Sequence, residues 1–458
     1  MFSLFNHYFR RQTLLQVLCD LLLILPALLG VYLYRLPYGH AVQIPTHGLS
    51  LVAALLFANT ASGLYQSGHG RSINQSCARA ALALVLALPI AYAILSLFPT
   101  EFGDREELKW IMMLWVAAVI AHRVYAAHVD KSANPHSRIL IFGSGASAQL
   151  VARAITASDP FVKIVGYVSG PNETHSVVDP NKMLRVPGSL KERALELEVD
   201  EIVVALSERR GGSMPLRELL DCKIVGVKVS DLSTYFEKML GQIRIDQLYA
   251  GWLVFGDGFA QGAYRSIAKR LFDVVSSCVL LTLATPVMIA TALCIALESK
   301  GPVFYRQARV GQNERTFWVL KFRSMRLDAE KDGTPQWAAA NDDRVTRVGS
   351  FIRRFRIDEL PQLLNVLRGE MSLVGPRPER SFFVEQLTRE IPFYAVRHSV
   401  KPGVTGWAQV RYQYGATVED SLEKLQYDLY YVKNHSLFLD IVVLFETIGV
   451  VLSGKGAR

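Results

Sequence analysis

An adjacent carboxylate pair, Asp358-Glu359, stands in a stretch crowded with cations, and its chemistry is the most distinctive in this chain. Gln307, Arg309, Lys321 and Arg323 precede it, Arg353 and Arg356 lie within five residues, and Gly375-Pro376-Arg377-Pro378-Glu379-Arg380 and Lys401 follow. Guanidinium forks bind phosphate oxygens in pairs, and lysine offers a point charge. Paired carboxylates would repel a nucleic-acid backbone, so no nucleic acid is expected as a partner. They suit instead a carboxylate nucleophile or the ligands of a divalent metal. Arg353, five residues before Asp358, lies close to it if the stretch is helical. Pro361 then limits that helix downstream.

Two apolar elements must hold this segment. Leu271–Leu297 is long enough to span a bilayer and is entered through Arg265, Lys269 and Arg270. Thr285-Pro286 interrupts its centre, and proline removes a backbone donor and kinks a helix. Two halves of about 20 Å each read as a re-entrant hairpin, about residues 266–299, that dips into one leaflet. Asp273 is then tolerable at the interface beside Lys269 and Arg270, which face anionic head groups. Leu437–Leu452 is too short to span and, with Asp440 and Glu446 inside it, reads as an interfacial or core helix.

The rest of the 458 residues divides in two. Half the residues are apolar and a fifth charged, which excludes a disordered chain. The 5 cysteines show no C-x-x-C spacing, which argues against a disulfide scaffold or zinc ribbon. Four apolar stretches, about Leu14–Tyr34, Leu49–Tyr65, Ala80–Phe98 and Leu108–Ala126, predict a transmembrane bundle with both ends in the cytoplasm by the positive-inside rule. Asp20 inside the first is read as a polar helix contact. Strands are predicted at Arg138–Phe142, Lys163–Val168, Glu201–Leu206 and Lys223–Val229, with helices at Gln149–Ala157 and Leu190–Leu197 among them, hence a Rossmann-like parallel sheet. Gly143-Ser-Gly145-Ala-Ser-Ala148 suits a nucleotide phosphate at a helix N-terminus. No acidic residue follows at the ribose position, and no Y-x-x-x-K pair is present. A regulatory or structural role is therefore preferred for this part.

Taken in order, Lys269-Arg-x-x-Asp273, the proline-broken hairpin, Lys321-Phe-Arg-Ser-Met, Asp358-Glu-Leu-Pro-Gln-Leu-x-Asn-Val, Ser372-Leu-Val-Gly-Pro-Arg-Pro and Lys401-Pro-Gly-Val-Thr-Gly resemble the bacterial sugar transferases. These are monotopic polyprenyl-phosphate glycosyl-1-phosphate transferases. Trp252-Leu-Val-Phe-x-x-Gly-Phe259 looks like the linker of an exopolysaccharide subgroup. The resemblance implies transfer of a sugar phosphate from a UDP-sugar to undecaprenyl phosphate, with release of UMP. In it Asp358 is the nucleophile, Glu359 assists, and both hold Mg²⁺. Arg353 and Arg377 are the phosphate clamps, and Lys321, Arg323, Gln307 and Pro376 are further contacts. The fold class implied is a membrane α-helical bundle, 1–134, then a Rossmann-like α/β domain, 135–250. A linker, 251–264, leads to a mainly α monotopic catalytic domain, 265–458. The site lies on the cytoplasmic face of a bacterial inner membrane, in a multi-pass protein expected to be a homodimer. The rival readings are a membrane nucleotide-sugar dehydratase or epimerase and a non-enzymatic scaffold of polysaccharide export.

Overall fold

The computed structural model describes residues 137–245 and 262–452, apart from 159–161, 185–187, 207–213, 327–343 and a few single positions, and only scattered residues before 137. The predicted membrane bundle and the Trp252–Phe259 linker lie outside the described residues, except for a few positions. Beyond the first seven residues, internal contacts divide the chain between Leu248 and Tyr249 into two units.

In the first unit, four short strands form one parallel sheet of order β2-β1-β3-β4. They are β1 (Ser137–Phe142), β2 (Val162–Val168), β3 (Glu201–Val204) and β4 (Lys228–Asp231). Helices α1 (Ala146–Ser158), α2 (Leu190–Glu196), α3 (Leu216–Ile224) and α4 (Leu232–Leu240) connect or follow them. Alternation along β1 sorts the core. Ile139 and Ile141 pack with α1 and α4, whereas Leu140 and Phe142 pack with α2 and α3. The strand expected at Lys223–Val229 begins only at Lys228. The apolar run is divided by Gly226, whose φ of +97° ends the turn after α3 and frees the chain to start β4.

The second unit opens with α5 (Ala263–Glu298), 36 residues with Pro286 inside. Its most apolar window has mean hydropathy 2.3, and α5 is long and apolar enough to cross a membrane. Leu283, Ile289 and Leu293 are exposed. Pro286 cannot donate to the preceding turn, and Thr282 and Thr285 turn their hydroxyls back onto the carbonyls of Cys278 and Leu281 at 2.9 and 2.7 Å. Such bonds bend helices. Next come the antiparallel pair β5 (Phe304–Val310) and β6 (Thr316–Phe322), then α6 (Arg347–Arg354) and α7 (Gln362–Arg368). β7 (Ser372–Val374) pairs in parallel with β8 (Gly403–Thr405). Around them lie α8 (Ser381–Glu390), α9 (Trp407–Arg411), α10 (Val418–Asn434) and α11 (Leu437–Leu452).

Both ends of α5 are fastened to this body. At its start Arg270 donates to the carbonyls of Val366 and Leu367, 2.5 and 2.7 Å, and so caps the C-terminus of α7. Lys269 reaches Asp440 at 2.9 Å and the Val374 carbonyl at 3.3 Å. Asp273, buried, accepts from Ser372 Oγ and the Leu373 amide, each at 3.1 Å. The three residues expected at the lipid interface are thus internal struts, because each finds partners on α7, β7 or α11. At the far end Ile295 packs against Phe322 and Ile352. Arg323 caps α5 through the carbonyls of Ser299 and Lys300 at 2.8 and 3.1 Å. The acidic residues of α11 have similar roles: Asp440 accepts from Tyr431 Oη at 2.6 Å, and Glu446 from Arg411 at 2.6 Å.

Candidate active site

The segment carrying the carboxylate pair is not one helix. α6 ends at Arg354, and Arg356 takes a left-handed conformation, φ +56°. A single 3₁₀ turn, Ile357–Glu359, then presents both carboxylates before α7 begins. Pro361 starts α7 rather than closing what precedes it: its missing N–H costs nothing at a helix start, and Leu360 remains in the right-handed region. Asn365, fully buried, fastens this arrangement to β6. Its Oδ1 accepts from the Leu320 amide at 3.0 Å, and its Nδ2 donates to Trp318 O at 2.8 Å. The motif contained Asn365, but nothing in the sequence gave it a role.

The two carboxylates have opposite surroundings. Glu359 accepts from Lys321 Nζ at 3.0 Å and Arg377 Nη2 at 2.9 Å on one oxygen, and meets Arg356 at 3.5 Å through the other. Burial would raise its pKa, but Arg377, Lys321 and Arg356 hold it well below the usual carboxylate range. Asp358 is equally buried, yet among the described residues no side chain donates a hydrogen bond to it. Burial first, and then the neighbouring charge of Glu359, push its pKa up to about 6 against the pull of Lys321, Arg377 and Arg353. It is therefore a carboxylate that is mostly ionised at neutral pH, more basic than usual and unencumbered. Arg353 adds a second unmet capacity, since its Nη1 is buried without a hydrogen-bond partner. A buried cationic donor left unpaired suits an anionic ligand.

The other predicted contacts divide. Lys321 sits on β6 opposite Tyr305 of β5, and the two-residue period puts it on the same face as Gln307 and Arg309. Gln307, however, accepts twice from Arg309, at 2.6 and 3.1 Å, and donates to Tyr305 Oη at 3.2 Å. Arg323 is directed at the end of α5, as described above. Both are engaged in holding the fold, because carbonyls and a neighbouring guanidinium reach them first. Pro376 contributes its carbonyl to the Gly403 amide at 2.9 Å. Backbone lies against backbone here: a Cβ on Gly403 would run into the Gly375 amide nitrogen. The glycines of these two motifs allow β7 and β8 to close on each other and so position Arg377. Among the described residues no three His, Cys, Asp or Glu side chains gather as a metal-binding group.

The glycine loop of the first unit has a different outcome. The Glu173 carboxylate accepts from the Ser144 amide at 2.6 Å, Ser144 Oγ at 3.0 Å and the Gly170 amide at 3.1 Å. The chain's own anion thus takes the Ser144 amide and hydroxyl, two of the loop's donors expected to face a nucleotide phosphate.

Residues 264–454 match the family described as Bacterial sugar transferase. A UDP-glucose:undecaprenyl-phosphate glucose-1-phosphate transferase of Xanthomonas campestris pv. campestris is 30% identical over 454 residues, 93% of this chain and 91% of that protein. A UDP-N-acetylgalactosamine-undecaprenyl-phosphate N-acetylgalactosaminephosphotransferase of Aeromonas hydrophila is 46% identical over 242 residues. That match covers 53% of this chain and spans 56% of its relative's length. A UDP-glucose:undecaprenyl-phosphate glucose-1-phosphate transferase of Escherichia coli (strain K12) is 45% identical over 186 residues, 40% of this chain and 39% of the relative. Since the similarity to the Xanthomonas protein runs nearly end to end and the family's own segment contains the buried carboxylate pair, this chain belongs to the bacterial sugar transferase family.

Proposed function

We propose that this protein transfers a sugar-1-phosphate from a UDP-sugar to undecaprenyl phosphate through a covalent intermediate on Asp358. The observation that carries this reading is the asymmetry of the pair: Glu359 is neutralised by three cations, while Asp358 is buried and unpaired. An oxygen of Asp358 attacks the β-phosphorus, and the bond from that phosphorus to the bridging oxygen breaks. UMP departs with those electrons. An oxygen of the lipid phosphate then attacks the same phosphorus, and the Asp358 carboxylate is released unchanged. Arg353 and Arg377 screen the approach of anion to anion, with Lys321 behind them.

The residues fit Mg²⁺ in chemical kind, because that ion is commonly held by one or two carboxylates together with substrate phosphates. Asp358 and Glu359 would hold it, Glu359 sharing its oxygens with Lys321 and Arg377. When bound, the ion neutralises diphosphate charge.

The reading places the site at the cytoplasmic face of the inner membrane, with α5 re-entrant. Arg270 and Ile295 are 25 residues apart, about 38 Å along a straight helix. Both ends nevertheless pack on one body in which Asn365 joins α7 to β6. This supports a bend near Pro286. Purified protein with Mg²⁺, undecaprenyl phosphate and a panel of UDP-sugars tests the reaction. Lipid-dependent UMP release from one donor, absent in Asp358→Ala, is expected. Release that persists in Asp358→Ala would refute it.

A further inference from the structure

Arg377 lies in a loop built almost entirely from prolines and charged residues, Pro376 to Arg380, with two positions that have no N–H to donate. Such a loop depends heavily on its carbonyls and side chains to be held. Four consecutive carbonyls are in fact taken. Pro376 O accepts from the Gly403 amide at 2.9 Å and Glu379 O from the Val310 amide at 2.9 Å. Pro378 O accepts from Arg309 Nη1 at 3.2 Å, and Arg377 O from Arg397 Nη2 at 2.9 Å.

Arg397 is the most deeply committed of these donors. It is 5% exposed, and its Nε and Nη2 donate to Asp428 Oδ2 at 3.0 and 2.7 Å. Its Nη1 donates to Tyr394 Oη at 3.0 Å, and the guanidinium lies over the Tyr394 ring. Asp428, on α10, is 2% exposed. A guanidinium fixed on three sides by α10, Tyr394 and the loop is a rigid peg, and lysine cannot reproduce the fork.

We infer that the buried Arg397–Asp428 pair is a positioning device. It holds the main chain of Arg377 so that its guanidinium meets Glu359 and the substrate phosphate. The pair touches neither carboxylate itself. The inference rests on the transferase reading for its catalytic consequence, but its geometric consequence stands apart from it.

The test uses full-length protein with Arg397→Lys, and Asp428→Asn as a second variant should the first unfold, each checked by thermal unfolding. Displacement of a clamping group by about 1 Å costs about 10²-fold, so kcat should fall at least about tenfold while KM for the UDP-sugar changes less than about twofold. In an Arg377→Lys background the same Arg397 substitution should change kcat by less than about twofold, because its effect is transmitted through Arg377. Labelling of Arg377 by phenylglyoxal, read by peptide mass, should accelerate several-fold in Arg397→Lys, with Arg353 labelling unchanged. Equal losses in both backgrounds, or unaltered labelling, would overturn the inference. If wild type turned over no donor, the transferase reading would fail, and labelling alone would decide the geometry.

Discussion

Two loops in this chain present phosphate-binding signatures in the sequence, and the structure treats them oppositely. At Gly143–Ala148, Glu173 supplies the anion from within and satisfies the Ser144 and Gly170 donors. At Ile357–Glu359, the internal anion Glu359 is likewise paired, with Lys321 and Arg377 on one oxygen, but a second carboxylate and a buried Arg353 nitrogen beside it remain unpaired. The difference lies in unused capacity. A motif shows which groups could meet a phosphate, and only the pairing of those groups in three dimensions shows which of them still can.

Four outcomes would break or sharpen that contrast. The largest concerns Asp358→Asn, which keeps shape but removes the proposed nucleophile: sugar-phosphate transfer should fall by about 10³-fold or more, measured as UMP release. Next, Arg353→Gln should reduce kcat by about 10²-fold while the thermal midpoint hardly moves, because the lost nitrogen has no protein partner. Glu173→Ala addresses the other loop. It should cost about 2 kcal/mol by leaving donors unpaired, seen in denaturant unfolding, and leave the transfer rate nearly unchanged. A stabilising dinucleotide bound by wild type would contradict the closed reading of that loop.

The smallest effect is acid sensitivity. Burial, then the charge of Arg397, lowers the His398 pKa to about 3. The unfolded chain takes up a proton near 6.5 and the folded one does not. Stability is therefore full above pH 6.5 and declines as pH falls towards 3. By pH 5 the loss should be about 1–2 kcal/mol, and it should be absent in His398→Gln if that variant is compared with itself at pH 7.

The buried carboxylate pair and the cations around it were legible in the sequence because each motif is itself contiguous, and so was the alternation of strands and helices in residues 137–245. Partner choice was not. Lys269, Arg270 and Arg323 have the composition of groups facing head groups or phosphate, yet their nearest acceptors are the distant carboxylate of Asp440 for Lys269, the carbonyls of Val366 and Leu367 for Arg270, and carbonyls at the end of α5 for Arg323. Nor does the sequence tell that Arg309, two residues on, takes the oxygen of Gln307. The break at Arg356 was hidden as well: a left-handed conformation is uncommon for arginine, and its residue type does not signal one. Arg397 and Asp428 carried no signal in the sequence, being isolated charges 31 residues apart.

The most direct test of the central claim is intact and peptide mass of the protein mixed with its UDP-sugar and no lipid acceptor. The account predicts one equivalent of UMP and a sugar-phosphate adduct on the peptide containing Asp358, discharged by undecaprenyl phosphate and missing in Asp358→Asn. Lipid-dependent turnover with neither burst nor adduct would contradict it and assign the transfer to direct displacement.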